Sequence, residues 1–449
     1  MTAPGSGAPR LPAGPAAEPV SDVVAALQAR GRFGVRLGLA RTRALLAAVG
    51  SPERGVRGAL IGGTNGKGST QAMVASILRA AGLRVGQTPK PHLVSYRERI
   101  VVDGRVIDGQ DLDELLTEVL AAADRLERRH GPPTEFEVLT TAAFLWLRRA
   151  GVDIAVIEVG LGGRLDATNA WDGGVAAITN VGLDHTEYLG TTVTAIAREK
   201  AAIIKRGDVA VTGAVDDALV VIRRRAARVG VPLRVVEPLP VVASGMDGLR
   251  VEHPALGELR LGMLGAHQAA NAAVALGIIE ALGDAGIAIV RRDAIRSGLA
   301  AARWPGRLEL LRVSGIDVLL DGAHNADGAR VLAEAVGTLG PAWAERRITL
   351  VLGILADKDV AGMVGALRSE PRLRTARVLT TPVPDSPRTL DATALALAWG
   401  PGARPTASAD EALEGGLELA ATEGGPLVVA GSLYLVGHAR GRLTGGSVP

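Results

Sequence analysis

The chain has 449 residues, enough for two or three domains. Hydrophobic residues at 47% and charged residues at 22% exclude wholesale disorder and fibrous repeats, and the absence of cysteine excludes disulfides, thiolate metal sites and a cysteine nucleophile. A net charge of +3 with no Lys/Arg-rich tail argues against a nucleic-acid partner.

Residues 1–20, rich in Ala, Gly and Pro, read as a disordered leader and not as a secretion signal. No apolar run free of charge and turn residues is long enough to span a bilayer, so a cytoplasmic protein without membrane contact is expected. From Gly58 onward, short β-branched runs alternate with longer amphipathic stretches, the pattern of an α/β protein. A strand is expected at 58–61, a helix at 67–81 and a strand at 83–87. Helices follow at 112–129 and 136–149, and buried strands at 153–159 and 175–180. A helix at 192–205, a strand at 209–213 and a helix at 217–229 come next. Residues 233–261 read as an antiparallel patch, and 267–282 as a helix. Trp304-Pro305-Gly306 breaks the pattern, and a second alternation begins with strands expected at 316–320, 348–353, 376–380 and 427–430. Aromatics are only 2%, so the core is expected to be aliphatic.

Three clusters carry chemistry. Gly62-Gly63-Thr64-Asn65-Gly66-Lys67-Gly68-Ser69 joins a strand to a helix. Glycines let successive backbone N–H groups converge on phosphate oxygens, the helix start adds positive charge, and a lysine reaches the terminal phosphates. The strict GxxxxGK[ST] spacing is not met, because Gly68 separates Lys67 from the Ser69 hydroxyl. The alternative is a glycine-rich helix entry without a ligand. Glu158 ends a buried strand and opens into Gly160, Gly162 and Gly163, where parallel sheets bind ligands; its carboxylate suits Mg²⁺. Asp184-His185 follows the next strand, and Glu199-Lys200 lies on the helix after it. Only five of the 50 basic residues are lysine, so a surviving lysine either does work that arginine cannot do or has survived by chance.

Taken in order, these clusters resemble those of the folylpolyglutamate synthase/dihydrofolate synthase family, within the Mur-ligase superfamily. Further matches are Thr134 to Glu137, His267-Gln268 with Asn271, Trp304 to Glu309, Asp321 to Asn325, Leu355 to Asp359 and Gly431 to Tyr434. The resemblance spans about residues 23–442 and includes all five asparagines. It implies a Mur-ligase-like fold: a P-loop, parallel-sheet domain at 21–303 that binds ATP and folate, then a smaller Rossmann-like α/β domain at 304–449. It implies an ATP-dependent ligase that activates a pterin or folate carboxylate as an acyl phosphate and joins it to L-glutamate. By the same resemblance ATP lies on Thr64, Asn65, Gly66, Lys67, Gly68 and Ser69, with Asn271, Arg307, Asp321 and His324 across a cleft. Substrate lies on Arg36, Leu37 and Gly38, on Thr134, Glu135, Phe136 and Glu137, and on Leu165, Asp166 and Ala167. Mg²⁺, in two ions, is assigned to Glu158, His185 and a carbamylated Lys200. Lys67, His185 and Lys200 are the implied catalytic residues, and Lys358 and Ser432 are given to the glutamate side. A monomer suffices for this chemistry.

One position departs from the family pattern. Thr88-Pro89-Lys90-Pro91-His92 carries Lys90 where the family has a serine that ligates the first Mg²⁺. A protonated lysine cannot coordinate a cation. Thr88 or water could replace the serine, or Lys90 could itself supply charge to the phosphates. Two rival readings are a ligase acting on a cell-wall precursor and a nucleotide-dependent switch. The segments at 134–137 and 165–166 argue against the first, and the His185/Lys200 pair against the second.

Overall fold

The computed structural model describes residues 21–34, 36–340, 343 and 345–445; the expected leader at 1–20 lies outside the described residues. Two parallel-type sheets organise the chain. In the first, six parallel strands run in the order Val85–Thr88, Ile154–Glu158, Gly58–Gly62, Gly174–Ile178, Val209–Thr212 and Leu233–Val235. An antiparallel hairpin, Val101–Val102 and Arg105–Val106, extends the Val85 edge. The two central strands, Gly58–Gly62 and Ile154–Glu158, are buried along their whole length, as strands covered by helices on both faces must be. Full burial of each Leu or Ile there contributes about 1.5–3 kcal/mol.

The second sheet runs Glu309–Val313, Ile316–Asp321, Leu427–Ala430, Thr349–Leu352, Arg377–Thr380 and Ala403–Pro405, parallel except for its first strand. A separate three-stranded antiparallel sheet, Val241–Gly245, Gly248–His253 and Gly257–Leu261, sits between them in sequence.

Several expectations need adjusting. Leu233–Val235 is not part of the antiparallel patch; it pairs in parallel with Val209–Thr212. The helix expected at 192–205 is Val193–Ala201. It stops early because the Ile203 and Ile204 amides turn to the carbonyls three residues back, those of Lys200 and Ala201, at 3.2 and 3.1 Å. The helix expected at 112–129 is longer, Gly109–His130, because the Asp108 side chain caps it at the Gln110 amide. The core is aliphatic in bulk, but Trp171, Trp343, Trp399 and Phe144 are among its most deeply buried side chains. Trp171 meets the cost of its indole N–H by donating to the Val56 carbonyl at 2.9 Å.

The Trp304-Pro305-Gly306 interruption has a structural cause. Gly306 takes φ +67°, its amide donates to Glu309, and Glu309 is in turn held by Arg440 at 3.0 Å. This turn carries Arg307 to the mouth of the second sheet. No described helix is long and apolar enough to cross a membrane.

Candidate active site

The carboxyl ends of the two sheets face a shared cleft of about 800 Å³. Thr64 to Ser69, Glu158, His185 and Asn271 line it from the first half of the chain; Arg307, Asp321 and His324 line it from the second. Ten expected site residues are not on its wall: Arg36, Leu37, Gly38, Thr134, Glu135, Glu137, Leu165, Asp166, Ala167 and Lys200.

The glycine loop needs its glycines. Gly66 sits at φ +80° as the N-cap of the Lys67–Ala80 helix, and a Cβ there would come within 2.1 Å of Asn271 Oδ1. A Cβ on Gly63 would meet Thr179 Oγ1 at 1.9 Å. The loop is pinned from the neighbouring strand end. Asn65 N–H donates to Asn180 Oδ1 at 2.9 Å, and the Thr179 hydroxyl donates to the Asn65 carbonyl at 2.6 Å. Lys67 Nζ folds back on the carbonyls of Gly63 and Thr64, 3.0 Å from each. Burial pushes its pKa down, while Glu158 and Asp184 pull it up.

Glu158 is 3% exposed, and burial raises its pKa against the pull of Lys67 and Lys90. Its two oxygens have different surroundings: Oε2 accepts the Lys90 backbone N–H at 3.2 Å, and Oε1 has no hydrogen-bond partner among the described residues. His185 begins the Thr186–Leu189 turn at φ +49°, its ring half exposed and 3.7 Å from Asp184. Lys200 is buried behind the loop, donating to the Gly63 carbonyl at 2.9 Å. Burial and the charge of Lys67 lower its pKa to about 7. Among the described residues no three His, Asp or Glu side chains are grouped to hold a metal ion. A Mg²⁺ at Glu158 and His185 therefore needs further oxygen ligands, and a carbamate on Lys200 or the phosphates of a nucleotide would supply them.

Lys90 does not fit a first metal site. Its ammonium bonds the Glu158 carbonyl and lies 3.3 Å from Thr88 Oγ1, where the family pattern puts a metal-ligating hydroxyl; burial lowers its pKa to about 8, against the pull of Asp166 and Glu158.

On the opposite wall, Asp321 ends its strand with both oxygens engaged, accepting the amides of Leu308 and Ala323 at 2.8 and 2.9 Å. Burial raises its pKa, and Arg307 is the largest opposing influence. Burial and Arg307 push His324 down to about 4, so it is neutral at pH 7. Its Nδ1 lies 2.8 Å from the Gly322 carbonyl, which requires the proton on that nitrogen and leaves Nε2 as an acceptor.

The substrate-type segments come together beside the cleft. Gly38 N–H donates to the Leu165 carbonyl at 3.4 Å. Asp166 accepts the amides of Leu161 and Thr168, so it shapes the loop and is not a free carboxylate. Thr134 and Glu137 form a reciprocal capping box, and Arg41 also holds Glu137. Glu135 accepts the Tyr96 hydroxyl. From this helix start Phe136 alone reaches the cleft, lying so close to Gly160 that a Cβ there would be 2.6 Å from its ring. A narrow pocket lined by Phe136, Phe144, Leu139, Thr168, Lys90 and Arg99 shares Phe136, Lys90 and Arg99 with the cleft.

Sequence reasoning passed over Arg99, Arg330 and Arg388, which also line the cleft. In a chain so rich in arginine, none of them stood out. With Lys67, Lys90, Arg307 and Lys358 they make, among the described residues, seven cationic side chains against four carboxylates, Glu158, Asp184, Asp321 and Asp327. A cleft with that surplus, a glycine loop at one strand end and a second sheet opposite is built for a polyphosphate.

This is the architecture of a Mur ligase. The Mur ligase middle domain matches residues 61–236, and the Mur ligase glutamate ligase domain matches residues 306–433. The chain is 38% identical to the dihydrofolate synthase/folylpolyglutamate synthase of Bacillus subtilis over 76% of its own length and 81% of that protein's. It is 36% identical to the folylpolyglutamate synthase of Lacticaseibacillus casei, covering 90% and 94% of the two chains. The structure of Mycobacterium tuberculosis folylpolyglutamate synthase complexed with ADP and AMPPCP superposes with a TM-score of 0.84 at 34% identity, covering 95% of this chain and all of that one. The chain belongs to the folylpolyglutamate synthase/dihydrofolate synthase family of ATP-dependent ligases. The cell-wall ligase and nucleotide-switch readings are set aside.

Proposed function

We propose that this chain joins L-glutamate to the carboxylate of a pterin or folate substrate, dihydropteroate, tetrahydrofolyl-polyglutamate or both. It would act as a cytoplasmic monomer with two domains, 21–303 and 304–449. The observation that carries the reading is the cationic cleft in which the Thr64–Ser69 loop faces Arg307, Asp321 and His324. The substrate carboxylate attacks the γ-phosphorus of ATP; the bond to ADP breaks and an acyl phosphate forms. The glutamate amine then attacks the acyl carbon, phosphate leaves, and the amine gives up a proton. Such transfer depends mainly on positioning and on charges aimed at the reacting oxygens.

In this reading Thr64 to Ser69 cradle the phosphates, with the Lys67 ammonium on the terminal one. Asn271, Arg307, Asp321 and His324 hold the rest of the nucleotide. Asp321 works through its grip on the Leu308 and Ala323 amides, which sets the Arg307 turn and the His324 loop. Phe136 offers an aromatic face to a pterin ring, while Arg36 to Gly38, Thr134, Glu135, Glu137 and Leu165 to Ala167 shape that pocket. Glu158, His185 and a carbamylated Lys200 would hold Mg²⁺, which when bound supplies positive charge to the phosphate oxygens.

Glutamate-dependent ADP release with dihydropteroate, and separately with a tetrahydrofolate, tests the activity. The absence of glutamate-dependent release with either substrate would contradict the reading. Because both halves must meet on ATP, Asp321→Ala should weaken ATP use, although the residue is far in sequence from the phosphate loop. Full-rate ligation by the isolated segment 1–302 would refute the cleft model.

A further inference from the structure

The surroundings of Lys90 set it apart from the other cations of the cleft. Its Nζ is held by three oxygens of two strand ends: the Glu158 carbonyl, Thr88 Oγ1 at 3.3 Å and the Thr88 carbonyl at 3.5 Å. Its backbone N–H fixes Glu158 Oε2 at 3.2 Å. The ammonium lies 5.4 Å from the centre of the Phe136 ring, a cation–π distance. No carboxylate oxygen among the described residues is within ion-pair distance of it. Lys90 lines the ATP-type cleft, the narrow pocket beside Phe136 and a third cavity of about 200 Å³ under Trp304.

A buried ammonium held by neutral oxygens, drawn on by the charges of Asp166 and Glu158 but paired directly with neither, is a cation with room for an anion. Its position is where the pocket that takes the acyl substrate meets the cleft that takes the phosphates. We propose that Lys90 is a built-in cation of the active site, which binds the substrate carboxylate and the acyl phosphate formed from it, and that the chain consequently binds a single Mg²⁺ with its nucleotide. The inference rests on the ligase reading above. It assigns the oxygens of Glu158 to two partners: Oε2 stays with the Lys90 amide, and Oε1 remains for the one ion. An ammonium at this point also repels a second divalent ion, and in a desolvated site such repulsion is weakly screened.

The count of bound ions tests this without relying on turnover. Mn²⁺ binding to the full-length protein with a non-hydrolysable ATP analogue is followed by electron paramagnetic resonance. One equivalent is expected for the unaltered chain and two for Lys90→Ser, which removes the charge and restores a hydroxyl. Lys90→Met should still bind one, with nucleotide affinity within a few-fold of normal but kcat lowered by roughly 10²-fold, the loss expected for one preorganised charge. Circular dichroism establishes that each variant is folded. Two equivalents in the unaltered chain, or one in a folded Lys90→Ser, overturns the role of Lys90 and leaves the ligase reading intact. No nucleotide-dependent Mn²⁺ binding at all overturns both.

Discussion

Replacing Lys200 by arginine is expected to inactivate the enzyme despite conserving the positive charge. An ammonium buried behind the phosphate loop, with no carboxylate within ion-pair distance among the described residues, is costly to keep charged. Burial and Lys67 bring its pKa to about 7, so an unprotonated amine is available near neutrality. That amine can attack CO₂, forming an N–C bond and releasing one proton to leave a carbamate. The product would be an anionic oxygen ligand of the kind Mg²⁺ prefers, the part the proposed reading gives to Lys200 beside His185 and Glu158. Guanidinium stays protonated and cannot follow this route. Lys200→Ala should also lose most activity, and should regain part of it when a short-chain carboxylate is added. Protein incubated with ¹³C-bicarbonate should show a carbamate carbon resonance that is absent from both variants. Substantial activity in Lys200→Arg would mean that the residue acts as a plain cation, and the carbamate role would be refuted.

Lys67→Ala should lower kcat by roughly 10²-fold or more, the scale of one contact made chiefly in the transition state. The side chain is tethered to the carbonyls of its own loop, so its charge is held before the nucleotide arrives. The influence of Glu158 and Asp184 favours its charged form against the cost of burial. Because negative charge on the transferring oxygens grows during the reaction, the loss should fall more on kcat than on ATP binding. Turnover within a few-fold of normal, in a variant shown to be folded by circular dichroism, would take Lys67 out of the mechanism.

The strands whose ends form the cleft were largely legible in the sequence. Gly58–Gly62, Ile154–Glu158 and Gly174–Ile178 are buried on both faces, and such strands announce themselves as unbroken apolar runs. The phosphate loop was legible because only glycine satisfies its backbone, and a local constraint of that kind is written locally. The same holds for the family resemblance, whose motifs are short and ordered. Leu233–Val235 was less so: three residues at a sheet edge join a parallel sheet or an antiparallel patch according to their neighbours, not their own pattern.

What only the tertiary structure decided is which motif residues line the cleft and which hold its wall in place. In the fold Thr134 and Glu137 cap a helix, and Phe136 from the same turn reaches the cleft. Asp166 and Asp321 look like free carboxylates, yet each spends its oxygens on backbone amides, Asp166 within its own loop and Asp321 on Ala323 and on Leu308 of the preceding turn. The cationic surplus of the cleft was hidden too, because arginines at 99, 307, 330 and 388 converge only when the two sheets face each other. Residue type and spacing determine local backbone geometry through sterics and hydrogen bonding over a few residues. The partner of a buried charge is set by whichever distant segment folds against it, and for Lys90 that segment is the end of the Glu158 strand, 68 residues away.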